Sequence, residues 1–174
     1  MVNIKGELVM LRAVEPEDIT SLYEWENDTS LWGVSGTVAP FSHHTLAQFI
    51  DAQHVDIYSS RQMRLMICRP DSVVVGAVDL FEFEPQHHRA GVGVMIAPEY
   101  RKCGYAKDAL RTLETYARQY LEIHQLWCNI EADNSASLAL FSSVGYTQIG
   151  IKQDWNYSSA GYKSEIMFQK IELT

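Results

Sequence analysis

Apolar residues recur along this chain in two alternating rhythms: a period of two that marks strands, and a spacing of three to four that marks helices. Residues 8–11 form a short apolar strand ending at Arg12. Glu15-Pro16-Glu17-Asp18 then starts a helix, with Pro16 at the first helical position, acids in the first turn, and the stripe Ile19, Leu22 and Tyr23. Residues 28–41 contain Gly33, Gly36 and Pro40 and read as a loop. Ser42 can cap a second helix whose stripe is Leu46, Phe49 and Ile50. Strands follow at 64–68 and 73–84, joined by the turn Arg69-Pro70-Asp71-Ser72.

The most regular stretch comes next. Val92, Val94 and Ile96 alternate with Gly91, Gly93 and Met95, so both faces of a strand at 90–96 are apolar, as in a central strand covered on both sides. A turn at Pro98 and a loop of small and basic residues lead into a long helix. Its apolar face comprises Ala106, Ala109, Leu110, Leu113, Tyr116, Ala117, Tyr120 and Leu121, with Lys107, Asp108, Arg111, Glu114 and Arg118 pointing elsewhere. A strand at 126–131 follows. Asp133-Asn134-Ser135 initiates a short helix that Gly145 terminates in the left-handed conformation. Strands at 146–155 and 162–171 close the chain through a hairpin at 158–161. The pattern predicts seven strands and four helices, an α/β (α+β) chain with no internal repeat or linker, so residues 1–174 are expected to form a single domain.

Composition narrows the function classes. Hydrophobic residues at 47% and charged residues at 21% fit a soluble globular protein. No apolar run approaches the roughly 18 residues of a membrane helix. The opening MVNIKGELVML has no basic leader followed by an apolar core, so no secretion signal is expected. Cys68, Cys103 and Cys128 are odd in number and lack C-x-x-C spacing, which favours reduced thiols in a cytoplasm. A net charge of −8 without a basic run argues against a nucleic-acid surface and is compatible with cationic small substrates. His43-His44 and His87-His88 do not make a metal site: adjacent strand side chains face opposite ways, and no Cys/His spacing suits zinc.

The loop Arg101, Lys102, Cys103, Gly104, Tyr105, Ala106 carries the clearest chemistry. It delivers backbone N–H groups to a helix N-terminus, where unpaired donors and the helix dipole favour an anion, and Gly104 and Ala106 let a phosphate approach closely. Such a cradle suits a pyrophosphate.

A buried strand ending in Pro98-Glu99-Tyr100-Arg101, this loop and the following helix resemble the acetyl-CoA motif of the GCN5-related N-acetyltransferases (GNATs). The order of elements over nearly the whole chain is similar to the GNAT fold, which implies a mixed, mostly antiparallel central sheet. Further signs are Leu11-Arg12 with Glu17-Asp18, Trp25 with Asn27-Asp28, His87-His88-Arg89-Ala90, Gly104-Tyr105-Ala106, and Asn134 with Ser137 before Gly145-Tyr146. In order and spacing these resemble the branch holding bacterial spermidine N-acetyltransferases and ribosomal-protein N-terminal-alanine acetyltransferases.

The resemblance implies acetyl-CoA as co-substrate, no metal, direct transfer to a primary amine such as a polyamine or a protein N-terminus, and compatibility with a homo-oligomer. It assigns the pantetheine arm to backbone groups of Val94, Met95 and Ile96, the pyrophosphate to residues 101–106, and a cofactor contact to Asn134, which is equally suited to a plain N-cap. Freeing the lone pair of an amine of pKa ~10.4 costs about 4.6 kcal/mol at pH 7, so a base is needed. Glu82 matches an acidic position of the spermidine-type relatives and is the candidate base. Alternation puts Glu84 on its face, as an attractor for a cationic substrate, and Asp79 on the other; both glutamates are equally readable as solvated strand-end charges. Trp32 is a candidate wall of the acceptor pocket or a core aromatic.

Two positions depart from the family pattern. Phe141 stands where many relatives have a tyrosine acid, which leaves Ser137 as a candidate to protonate the thiolate. Gly91 stands where relatives commonly have glutamate. A non-catalytic acyl-CoA-binding module or sensor is the alternative these departures leave open.

Overall fold

The computed structural model describes residues 4–158 and 160–171, with 33–35 as backbone. Residues 1–3, which open the segment read for a leader, and Ser159 of the expected closing hairpin lie outside the described residues.

Among the described residues eight strands form one sheet: β1 (Ile4–Lys5), β2 (Met10–Ala13), β3 (Met63–Cys68), β4 (Val74–Glu84), β5 (Arg89–Ile96), β6 (Gln125–Glu131), β7 (Thr147–Ser158) and β8 (Gly161–Ile171). Their spatial order is β1-β2-β3-β4-β5-β6-β8-β7. Every neighbouring pair is antiparallel except β5–β6. Among the described residues six α-helices flank the sheet: α1 (Ile19–Glu26), α2 (Thr29–Ser35), α3 (His43–Asp51), α4 (Ile57–Ser60), α5 (Tyr105–Leu121) and α6 (Ser135–Ser143).

The mixed, mostly antiparallel sheet agrees with the expectation, but the counts of seven strands and four helices are too low. β1 is only two residues long. The segment expected to be a loop contains α2: Asp28 caps it by accepting from Ser30 N–H, and Gly36 ends it at φ 71°. The glycine that suggested a loop is the terminator of a helix. In α4, Asp56 accepts from the N–H groups of Tyr58 and Ser59, and Arg61 closes the helix in the left-handed region. Ser42 caps α3 as expected, accepting from Thr45 N–H.

Two cores cover the two faces of the sheet. Ala109, Leu110, Leu113 and Ala117 of α5 and Phe141 of α6 pack over β3–β6. On the other face Leu22, Leu46 and Ile50 of α1 and α3 pack on Met66, Cys68 and Ala77. Glu114, expected on the polar side of α5, is only 1% exposed. It is turned inward because Lys170 of β8 reaches it, with Nζ 2.7 Å from Oε2 and 2.8 Å from the Val144 carbonyl. Burial pushes the Glu114 carboxyl up, against the pull of Lys170.

Asp108, in the first turn of α5, accepts from the backbone N–H groups of Glu7 (3.1 Å), Leu8 (2.7 Å) and Val9 (2.9 Å). The β1–β2 turn is thereby pinned to the helix start. Contact is so close that a Cβ at Gly6 would lie 2.4 Å from both Asp108 Oδ2 and Thr112 Oγ1. Asp108→Ala leaves these donors without their acceptor and is expected to cost about 2–3 kcal/mol, read as a lowered urea midpoint with an unchanged m-value.

Candidate functional site

β5 and β6 pair over Arg89↔Gln125, Ala90↔Leu126 and Gly91↔Trp127. Beyond Gly91 the ladder stops. β5 continues bonded to β4 through Val94↔Val78, Met95↔Ala77 and Ile96↔Gly76, while β6 continues bonded to β8. A notch therefore opens between two strands, with one edge of Val94, Met95 and Ile96 turned away from β4. Main-chain groups along such an edge need partners that this sheet does not supply.

The chain leaving β5 forms the cradle at the mouth of the notch. Lys102 (φ 63°) and Gly104 (φ 84°) are both left-handed, and Gly104 occupies the N-cap of α5 with no side chain satisfying the first amides. The loop is shorter than expected: Tyr105 and Ala106 are the first two helical residues, so their N–H groups are among those a helix leaves open. Arg101 folds back, its Nε 3.1 Å from the Ile96 carbonyl. Cys103 is exposed. Leu8 overlies the loop, and a Cβ at Gly104 would lie 3.2 Å from Leu8 Cδ1. A glycine is required here by backbone conformation.

On the far side of the notch, Asn134 caps α6, its Oδ1 3.1 Å from Ser137 N–H. The capping role is present, and Ser137 lies half-buried one turn on. Phe141 is 4% exposed, edge-on to Tyr146 at 5.0 Å within the core beneath α6.

The face of the notch opposite α5 corrects the expected placement of the acids. β4 carries one extra residue between Phe81, opposite Gly91, and Glu84, opposite Arg89. Glu82 is the residue bulged out, exposed and at φ 46°, while Phe83 turns into the core and donates its N–H to the Arg61 carbonyl. Strict alternation fails at this point. Glu84 therefore shares a face with Asp79 and Phe81, not with an in-line Glu82. Arg89 binds Glu84 through two hydrogen bonds of 2.9 and 3.0 Å, and these hold its carboxyl below the ordinary range.

The ring of Phe81, the last in-register residue before the bulge, accounts for Gly91. A Cβ there would lie 2.2 Å from the Phe81 ring, which crosses the glycine to meet Trp127 edge-on at 5.3 Å. These two rings close the inner end of the notch.

Sequence reasoning did not pick out a charged cluster on this face. Arg64 uses Nε and Nη2 on Asp79 (2.7 and 3.1 Å) and Nη1 on Glu26 (2.6 Å). Burial opposes its charge, but the two carboxylates outweigh that and raise its pKa. A cavity of about 150 Å³ lies beside it, lined by Phe49, Gln53, Met63, Asp79 and Phe81 among others. Trp32 is tied to the same corner, its Nε1 donating to the Glu26 carbonyl at 2.9 Å. The available sequence signal was an arginine and an aspartate on neighbouring strands, which becomes a pair only once the register Arg64↔Asp79 is known. Among the described residues no group of three metal-ligating side chains occurs, and no helix is long and apolar enough to cross a membrane.

A family model described as an acetyltransferase (GNAT) domain matches residues 9–147. The chain belongs to the GNAT acetyltransferase family. Among GNAT relatives it is 22% identical over 161 residues to the spermidine N(1)-acetyltransferase of Escherichia coli K12, covering 91% of this chain and 83% of that one. Its fold is similar to that of the Vibrio cholerae spermidine N-acetyltransferase solved with CoA and spermine, with a TM-score of 0.87, 18% identity, and 96% and 97% of the two chains covered. A dodecameric form of the V. cholerae enzyme aligns with a TM-score of 0.79 at 20% identity over 95% of each chain.

Within this GNAT sheet, Gly91→Ala is expected to cost roughly 2–3 kcal/mol by overpacking against Phe81. Adding Phe81→Leu should recover about 1 kcal/mol or more, seen in a denaturation double-mutant cycle as a double variant less destabilised than the sum of the two single variants.

Proposed function

We propose that this protein is an acetyl-CoA-dependent N-acetyltransferase whose acceptor is a small primary amine of the polyamine type. One observation carries the reading: the parallel ladder that stops at Gly91, with an uncapped helix N-terminus at the mouth of the gap so produced. An edge left unpaired by β6 suits an amide-bearing arm laid alongside it, and the N–H groups of Gly104, Tyr105 and Ala106 suit a diphosphate. The acceptor class is supported by the names of the relatives and by the charge of the Arg64 corner, where two carboxylates meet one guanidinium.

Acetyl-CoA supplies the activated thioester when bound. In this reading Arg101, Lys102 and Cys103 complete the diphosphate cradle, and Val94, Met95 and Ile96 hold the arm. Asn134 fixes the head of α6 beside it. Glu82, pushed out of the ladder by the bulge, takes the amine's proton through solvent, and Ser137 serves the thiolate side. Trp32 lines the acceptor entrance, and Glu84, already bound by Arg89, shapes the local field. We place the activity in the cytoplasm, in keeping with three unpaired cysteines. Residues 1–174 act as one catalytic domain, assembled as a homo-oligomer like the dodecameric V. cholerae relative.

Supplying acetyl-CoA with a panel of amines is expected to release free thiol fastest with spermidine-like amines; CoA binding without thiol release would favour a sensor instead. Glu82→Gln should lower kcat roughly 100-fold and flatten its pH dependence. An unchanged pH–rate profile removes Glu82 as the base. Cysteine labelling offers a separate check of the cradle. Burial pushes the Cys128 thiol up to about 12 and raises that of Cys68, so maleimide should modify one thiol quickly, at Cys103, and CoA should slow that reaction.

A further inference from the structure

Residues of β6 alternate cleanly between two environments. Leu126, Cys128 and Ile130 enter the core beneath α5, while Trp127, Asn129 and Glu131 face the other way, toward the side of the notch that holds Phe81 and Asp79. Trp127 and Phe81 form the apolar inner end. One step outward, where β6 has parted from β5, stand three residues of different character. Gly93 leaves the floor of the notch bare: the atom nearest a Cβ placed there is Phe81 Cε1, at 3.8 Å. Asp79 is its ladder partner on β4. Asn129 is the corresponding residue on β6.

Asn129 Oδ1 is buried and accepts no hydrogen bond. The reason lies in the register. Its ladder partner on β8 is Met167, which has no side-chain donor. The next polar residue on that face, Glu131, is an acceptor already bound by Lys163 at 3.0 Å. A buried amide oxygen without a protein donor is uncommon in folded proteins and is disfavoured there unless water or a ligand completes it.

We propose that Asn129 positions the acceptor amine, working with Asp79 across the bare floor at Gly93. The inference rests on the acetyltransferase reading above. A primary amine freed of one proton keeps two N–H groups and one lone pair in tetrahedral array. Acceptors on opposite walls, the Asp79 carboxylate held by Arg64 and the Asn129 carbonyl, take one N–H each and leave the lone pair directed into the notch. Carbon–nitrogen bond formation then accompanies carbon–sulfur cleavage. Of the two protons the ammonium loses overall, one leaves through the base and one ends on the departing thiolate. A secondary amine has a single N–H at this stage and cannot satisfy both walls, so the pair selects terminal primary amines.

The test compares wild type with Asn129→Leu, which preserves size and removes the acceptor. Loss of one such hydrogen bond should raise KM for spermidine roughly tenfold while KM for acetyl-CoA stays within about twofold. Discrimination between a primary amine and its N-methyl derivative should narrow from at least about tenfold to about threefold or less, the scale of one lost hydrogen bond. The melting temperature should hold or rise, because the variant no longer buries an unpaired oxygen. Equal amine KM values in two active proteins overturn this inference alone. So does a parallel rise in both KM values with a fall in melting temperature, which marks a structural role. A wild-type protein that binds CoA but turns over no amine overturns the acetyltransferase reading and this inference with it.

Discussion

Three residue pairs hold β5 to β6, and the site depends on that ladder being so short. In a sheet otherwise joined by antiparallel pairs, this parallel contact can end without disturbing its neighbours, because β4 secures β5 on one side and β8 secures β6 on the other. The two strands diverge as independent walls. One strand then supplies both parts of the expected cofactor site: the edge of β5 that β6 leaves unpaired, and, a few residues later, the open N-terminus of α5. Phe81 and Trp127, ring edge against ring face over Gly91, stand where the divergence begins.

Charges fasten the walls. Arg64 ties α1, through Glu26, to β3 and β4. Asp108 ties the β1–β2 turn to the first turn of α5, and Lys170 ties β8 to Glu114 and to the carbonyl that ends α6. Each of these charges is at least partly withdrawn from water and meets an opposite charge or several backbone donors, which is what makes its burial tolerable. They join elements that apolar packing alone leaves free to slide. By contrast the segment 101–104 is exposed, with left-handed residues and few internal bonds, as is common in connecting loops.

Much of the fold was legible from local pattern. Strand and helix rhythms placed β2–β8, α1, α3, α5 and α6, because side-chain periodicity follows from backbone geometry within each element. Pro16, Ser42 and Gly145 marked boundaries through conformational preferences that belong to single residues. Short helices were harder to read. α2 and α4 have too few residues to show a stripe, and Gly33 and Gly36 disguised the first as a loop.

The cradle around Gly104 and the apolar strand before it could be read from sequence because a left-handed glycine, a helix start and an alternating run are all local. The sequence by itself therefore determined the family pattern, the left-handed glycine at the start of α5 and the central strand. Tertiary structure decided which acids face the notch. Glu82 leaves the ladder where Phe83 bonds to Arg61, two residues before the start of β3, and that single inserted residue moves Glu84 to the face of Asp79. The Arg64–Asp79 fork, the seating of Phe81 over Gly91 and the orphaned oxygen of Asn129 all arise from register between strands, and the inward turn of Glu114 from the packing of α5 against β8. Register is a property of pairs, and a linear pattern carries only one member of each.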